Sequence, residues 1–154
     1  MTNREMIVDL LCQVIEGEDY RSLDQLLDDL DPMDACDRPD GAPYSIATIA
    51  WHTWFWCNLW NEGICGGENP TLGWDLDATW PEIGRGEWDK VRGDLYMALQ
   101  RAALLAEEAD LDQVVWDDQT VNHLLMEIAV HSAYHIGQIA LARQAAGLWV
   151  EQQQ

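Results

Sequence analysis

Apolar residues recur along this chain at helical rather than strand spacing, and they mark out four long helices. The first covers residues 3–16, where Ile7, Leu10, Leu11 and Val14 share one face and Gly17 provides the stop. A short amphipathic piece over residues 22–30 carries Leu23, Leu26, Leu27 and Leu30 at the same spacing, and Pro32 lies beyond its end. Residues 31–43 are rich in Asp, Pro and Gly and read as loop. Ser45 caps a second long helix over residues 45–62. Residues 63–86 hold several glycines, Pro70 and Pro81 and no clean period. That connection is too long for a simple hairpin and is expected to cross over one end of the helix assembly. Trp74 and Trp80 within it are expected to act as plugs, over the core or over the mouth of a pocket. The third helix, residues 87–109, aligns Trp88, Val91, Leu95, Ala98, Ala102 and Leu105 opposite acids and arginines. After an acidic loop containing Trp116, Thr120 caps a fourth helix that runs to Gly147. Only residues near Val114 and Val115 suggest a strand, so the pattern predicts an all-α bundle.

Composition narrows the setting. The 154 residues, 48% of them hydrophobic, suit one domain with its own core spanning residues 1–154. The first residues carry acids and no basic stretch leading into an apolar run, so secretion is not expected and the protein is read as cytoplasmic. The longest apolar stretch, residues 46–60, is shorter than a bilayer requires and contains His52, Thr53 and Asn58, which argues against a membrane span. Cys12, Cys36, Cys57 and Cys65 form no CxxC pair and read as reduced thiols in structural or bystander positions. A formal charge of −20, with Lys90 the only lysine, disfavours nucleic acid as a partner. A solvated acidic face explains that charge more simply than a DNA-mimicking surface.

The chemistry concentrates in histidine. His131 and His135 lie four residues apart on the fourth helix, which turns their imidazoles only about 40° from one another around the axis. Both fall on the apolar stripe between Ile128 and Ile139, where ring nitrogens need partners. The pair fits either a metal site or hydrogen-bonded core histidines. His52 sits on the inner face of the second helix in line with Ile49, Trp56 and Leu59, so packing of the two helices would supply a third imidazole. Three neutral imidazoles leave coordination positions open for water or substrate.

The run Arg38-Pro39 followed by Tyr44-Ser45-Ile46-Ala47-Thr48-Ile49-Ala50-Trp51-His52 resembles the second-helix entry of the DinB/YfiT-like family. The run His131-Ser132-Ala133-Tyr134-His135-Ile136-Gly137-Gln138-Ile139, with Arg143 and Gly147 after it, resembles that family's last helix. The likeness extends through the Leu-rich first helix, the Gly17-Glu18 break and the approach from Trp80-Pro81 to Trp88, nearly the whole chain. The resemblance implies a four-helix bundle with a long crossover connection between the second and third helices. It also implies a homodimer and a divalent ion, nickel or zinc, on three histidines that match His52, His131 and His135. Some relatives are thiol-dependent transferases or isomerases in which the metal activates the sulfur of a low-molecular-weight thiol.

One position departs from the family pattern. Glu127, one turn before His131, stands where related sequences carry another histidine; it reads either as a group that orients a ligand or accepts a proton, or as an ion pair on the helix edge. His123 drifts off the ligand face and reads as structural or capping, while Gln138 and Arg143 are explained by helix packing or a dimer contact. Tyr134 is expected to line a pocket or an interface. Trp51, Trp54, Trp56 and Trp60 exceed what one helix face can bury, so some indoles should face a partner or a cavity, with Trp56 and Trp60 expected in the core. Two functions follow. The first is an enzyme whose metal activates a thiol or water toward a small-molecule substrate, a thiol-dependent S-transferase or a hydrolase, with Glu127 the one candidate base. The second is a non-catalytic, metal-stabilised dimer that binds a small ligand or a protein.

Overall fold

In the computed structural model, which describes residues 1–69 and 75–149, each long helix starts and stops on a local signal. The first, α1 (Asn3–Glu16), opens on a capping box: the Thr2 hydroxyl accepts from the Glu5 amide, and the Thr2 amide donates to the Glu5 carboxylate at 2.6 Å. It closes at Gly17, whose φ of 63° places a would-be Cβ on the Tyr20 carbonyl, so only glycine fits. The short piece that follows, α2 (Leu23–Leu27), is shorter than the expected 22–30, although Leu23, Leu26, Leu27 and Leu30 are all buried.

Residues 31–43 are not all loop. A single-turn helix, α3 (Pro32–Cys36), begins on Asp31, whose carboxylate accepts from the Asp34 amide at 2.8 Å. Asp followed by Pro is a cap followed by a first helical residue, and that pairing outweighed the breaker composition of the segment. The next helix, α4 (Ile46–Ile64), starts on Ser45 as expected, with the Ser45 hydroxyl 3.1 Å from the Thr48 amide, and runs two residues past 62.

Beyond α4 the chain includes 3-10 turns at Leu76–Thr79 and Arg85–Glu87, then α5 (Trp88–Glu108). Trp74 lies outside the described residues. On α5 the buried stripe is Trp88, Val91, Leu95, Ala98 and Ala102; Leu105 is only partly buried, and Leu99 and Ala106 complete the face. A small antiparallel hairpin, β1 (Val114–Trp116) and β2 (Gln119–Thr120), pairs Val114 with Thr120, where the sequence hinted at a strand. Thr120 then caps α6 (Val121–Ala145), and Gly147 follows its end with φ 72°.

The long helices α1, α4, α5 and α6 make up most of the structure, with α4 packed along α5 and α6 and α1 against the same two. Polar ties cross the apolar seams. Asn61 of α4 donates to the Ala98 carbonyl of α5 at 2.8 Å. The Arg143 guanidinium, 2% exposed, forks onto Asp29 at 2.6 and 3.0 Å and also reaches the Leu26 and Leu148 carbonyls, pinning the chain after α2 to the end of α6. Among the described residues no helix is long and apolar enough to cross a membrane.

Candidate metal centre

The face of α4 that meets α6 carries His52, buried among Thr48, Ile49 and Thr53. On α6 the four-residue spacing sets His131 and His135 one above the other, toward α4. Ring centroids of His52 lie 5.3 Å from His131 and 4.7 Å from His135, and those of His131 and His135 lie 4.3 Å apart. Each ring offers one nitrogen, and the three nitrogens fall within 4.8 Å of one another. No cysteine or carboxylate belongs to this group among the described residues.

The donor set fits a divalent ion on a geometric test. The Nε2 atoms of His131 and His135 face each other at 3.1 Å. Metal–nitrogen bonds of about 2.0–2.1 Å place two ligand nitrogens of one tetrahedral or octahedral ion roughly 3–3.4 Å apart. The observed spacing, that of a hydrogen bond between the two rings, is also one that two ligands of a common ion can adopt.

Two of the rings are also oriented from behind. His52 Nδ1 lies 2.8 Å from the Thr79 carbonyl, which can only accept, so Nδ1 carries the proton and Nε2 keeps its lone pair. Thr79 is held in its turn by a hydroxyl bond to the Leu76 carbonyl, and Thr48 of α4 donates to the Pro81 carbonyl at 2.9 Å, strapping the turn onto the helix. Trp80 lies flat on His52, centroids 3.6 Å apart at 11°, and stacks in turn with Tyr44 at 4.1 Å. The plug expected of Trp80 thus covers one wall of the site. His135 Nδ1 donates in the same way to Gln138 Oε1 at 2.7 Å. Gln138, expected to serve packing or a dimer contact, instead orients an imidazole; the sequence signal was its position three residues after His135. The third ring differs: His131 Nδ1 is buried with no hydrogen-bond partner.

Burial keeps all three rings neutral. It pushes His52 down to about 4, with the Thr79 bond opposing and His135 adding to the shift. His131 falls to about 3, from burial and then from its two imidazole neighbours, and burial lowers His135 as well. Neutral imidazole is the form that ligates metal. The sign of the linkage is definite. Above the ordinary value of 6.5 the rings are neutral whether the chain is folded or not; below it the unfolded chain takes up protons that the folded protein resists, until about 4 at His52 and about 3 at His131. Stability of the metal-free protein should therefore decline as pH falls from 6.5 toward 4. Urea unfolding at neutral and mildly acid pH should show a shallower decline in a His131→Leu variant, and identical slopes would contradict it.

Aromatic rings enclose the group. Trp60 meets His131 edge-on at 5.3 Å, Trp56 does so at 6.3 Å, and Tyr134 approaches His135 at 5.0 Å. Trp56 and Trp60, expected in the core, are only half-buried because this side of α4 faces the imidazoles instead of another apolar helix. Trp51, also half-buried, stacks with Phe55 and meets Trp54 edge-on. Glu127 is not brought to the three rings: its carboxylate is about half exposed and lies 3.4 Å from His123 Nε2 on the exposed side of α6. Arg143 serves the packing role expected of it, and none of the four cysteines is disulfide-bonded; burial pushes Cys57 up to about 12.

Comparison with known proteins adds one positive result. The model of the DinB superfamily matches residues 18–139, a span that holds His52, His131 and His135. No curated protein and no solved structure gives a match.

Proposed function

The chain belongs to the DinB superfamily, and from that premise we propose that it is a metal-dependent enzyme holding a divalent ion, nickel or zinc, on His52, His131 and His135. The observation that carries the reading is the convergence of three neutral imidazoles, two of them with Nδ1 committed to Thr79 and Gln138 so that Nε2 is free to ligate. A divalent ion held there would supply a Lewis acid able to activate a small thiol or a water molecule as nucleophile. The protein's own residues then divide the remaining work. Thr79 and Gln138 hold the rings, Trp80 shields His52 from solvent, and Trp56, Trp60 and Tyr134 offer apolar surface to a small electrophile.

Thiol transfer is favoured over hydrolysis, because Glu127, the base a hydrolase would use, turns to His123. The proposed frame is a single-domain four-helix bundle formed by α1, α4, α5 and α6, working in the cytoplasm as a homodimer. The outer face of α6 supports the dimer: Val130, Tyr134 and Leu141 are 64–65% exposed on one stripe of a chain with a formal charge of −20. That stripe, adjoining His135 through Tyr134, also supports the second reading, a metal-stabilised dimer that binds a small ligand or a protein without chemistry.

Incubating metal-loaded protein with a low-molecular-weight thiol and a chlorinated aromatic, and following thiol consumption, separates the two. Turnover that disappears in a folded His131→Ala variant is the expected result. No turnover across several thiols and model esters would leave the binding reading in its place.

A further inference from the structure

His123, Glu127, His131 and His135 follow one another at four-residue intervals on α6 and so form one row along the helix. Within that row His131 turns Nε2 toward His135, at 3.1 Å. Its Nδ1, the other ring nitrogen, is buried and without a partner. A neutral imidazole that gives its Nε2 lone pair to an ion must carry its proton on Nδ1. In His52 and His135 that proton has an acceptor, Thr79 or Gln138. In His131 it has none, and an unpaired buried donor is destabilising.

Two other buried acceptors, Asn61 Oδ1 and Ser132 Oγ, also lack a hydrogen-bond partner, but each belongs to a side chain set away from this row. Ile128, three residues before His131, is apolar; Ser132 leaves the helix about 100° around from His131. Asn61 directs its amide to the Ala98 carbonyl of α5. Indole N–H groups of Trp56 and Trp60 can only donate. Glu127 holds its carboxylate 3.4 Å from His123, both groups about half exposed, in a contact that is an ion pair only when His123 is protonated. An exposed pair of that kind is worth little and is readily given up.

We propose that Glu127 is the positioning residue for His131: when a metal is held, its carboxylate leaves His123, turns one step up the row and accepts the His131 Nδ1–H. This rests on the metal-centre reading above, and it replaces the catalytic base expected at Glu127 with a ligand-orienting carboxylate. The contact raises the basicity of the imidazole and fixes its tautomer, as carboxylates behind ligating histidines do, with 10- to 100-fold typical effects on metal affinity, by order of magnitude.

The test is zinc affinity by competition with a chromophoric chelator, with helix content checked by circular dichroism. Glu127→Ala should bind zinc about 10- to 100-fold more weakly. Glu127→Gln, which keeps an acceptor oxygen, should recover part of the loss, and His123→Ala should bind as well as the parent or better. Proton–nitrogen NMR of the zinc-loaded protein should show a slowly exchanging His131 Nδ1–H that vanishes in Glu127→Ala. If the parent binds zinc and Glu127→Ala binds it equally well, or if His123→Ala weakens binding as much as Glu127→Ala, this role is overturned while the metal centre stands. If the parent takes up no metal at all, both fall together.

Discussion

Replacing His135 with alanine should lower the affinity for zinc or nickel by more than about 100-fold, beyond the 10- to 100-fold that losing a residue behind a ligand typically costs. Its Nε2 is one half of the 3.1 Å pair with His131, and its ring also faces His52 at 4.7 Å, so its loss leaves two donors that no longer enclose a point. The fold should survive the change, because His135 lies beside the half-buried Trp80 and the exposed Tyr134 instead of the Leu-rich core, and alanine favours the helix. Gln138→Ala provides the graded comparison: it removes only the acceptor behind the same ring and should stay within the 10- to 100-fold range, to an order of magnitude. Competition titrations on the two variants check the ranking, and equal affinities for His135→Ala and the parent would remove His135 from the site.

The second large effect concerns the hairpin that leads into α6. A Cβ built on Gly63 would fall on the indole of Trp116, well inside contact distance, while Trp116 donates its Nε1–H to the Gly67 carbonyl at 2.9 Å and is itself buried. Gly63→Ala must push the indole off that bond or bend α4, and should destabilise the protein by about 1–3 kcal/mol. The sign is informative, since glycine to alanine inside a helix ordinarily stabilises by about 0.8–1 kcal/mol. Gly93 of α5 has open space where its Cβ would be, so Gly93→Ala should show that ordinary gain. In a Trp116→Ala background the Gly63→Ala penalty should disappear. Chemical denaturation of the parent and the four variants measures each step, and a stabilising Gly63→Ala in the parent would contradict the packing.

Local chemistry explains which features were legible in the chain and which were not. Helix ends at Gly17, Ser45 and Thr120 depend on residues within one turn, so their type and spacing suffice to place them. The short α3 was hidden because Asp31-Pro32 reads equally as a breaker and as a cap with its first residue, and only packing against α4 and α5 decides. In the site, the His131 and His135 pair and the inward placement of His52 follow from helical periodicity. The Thr79 carbonyl behind His52 has no side-chain signature, since any residue presents one. Trp56 and Trp60 were expected in the core because a hydrophobic pattern shows that a face is apolar without showing whether a helix or a pocket lies against it. The turn of Glu127 toward His123 was open for a similar reason: neighbours at four-residue spacing exist on both sides of it, and its rotamer chooses between them.

The most direct test is equilibrium dialysis of the metal-free protein against zinc or nickel, with bound ion counted per chain by elemental analysis. One ion per chain is expected, and none in a variant with His52, His131 and His135 all replaced by alanine that keeps its helix content. No uptake by the parent, or undiminished uptake by the triple variant, would contradict the assignment of these three imidazoles as the metal centre.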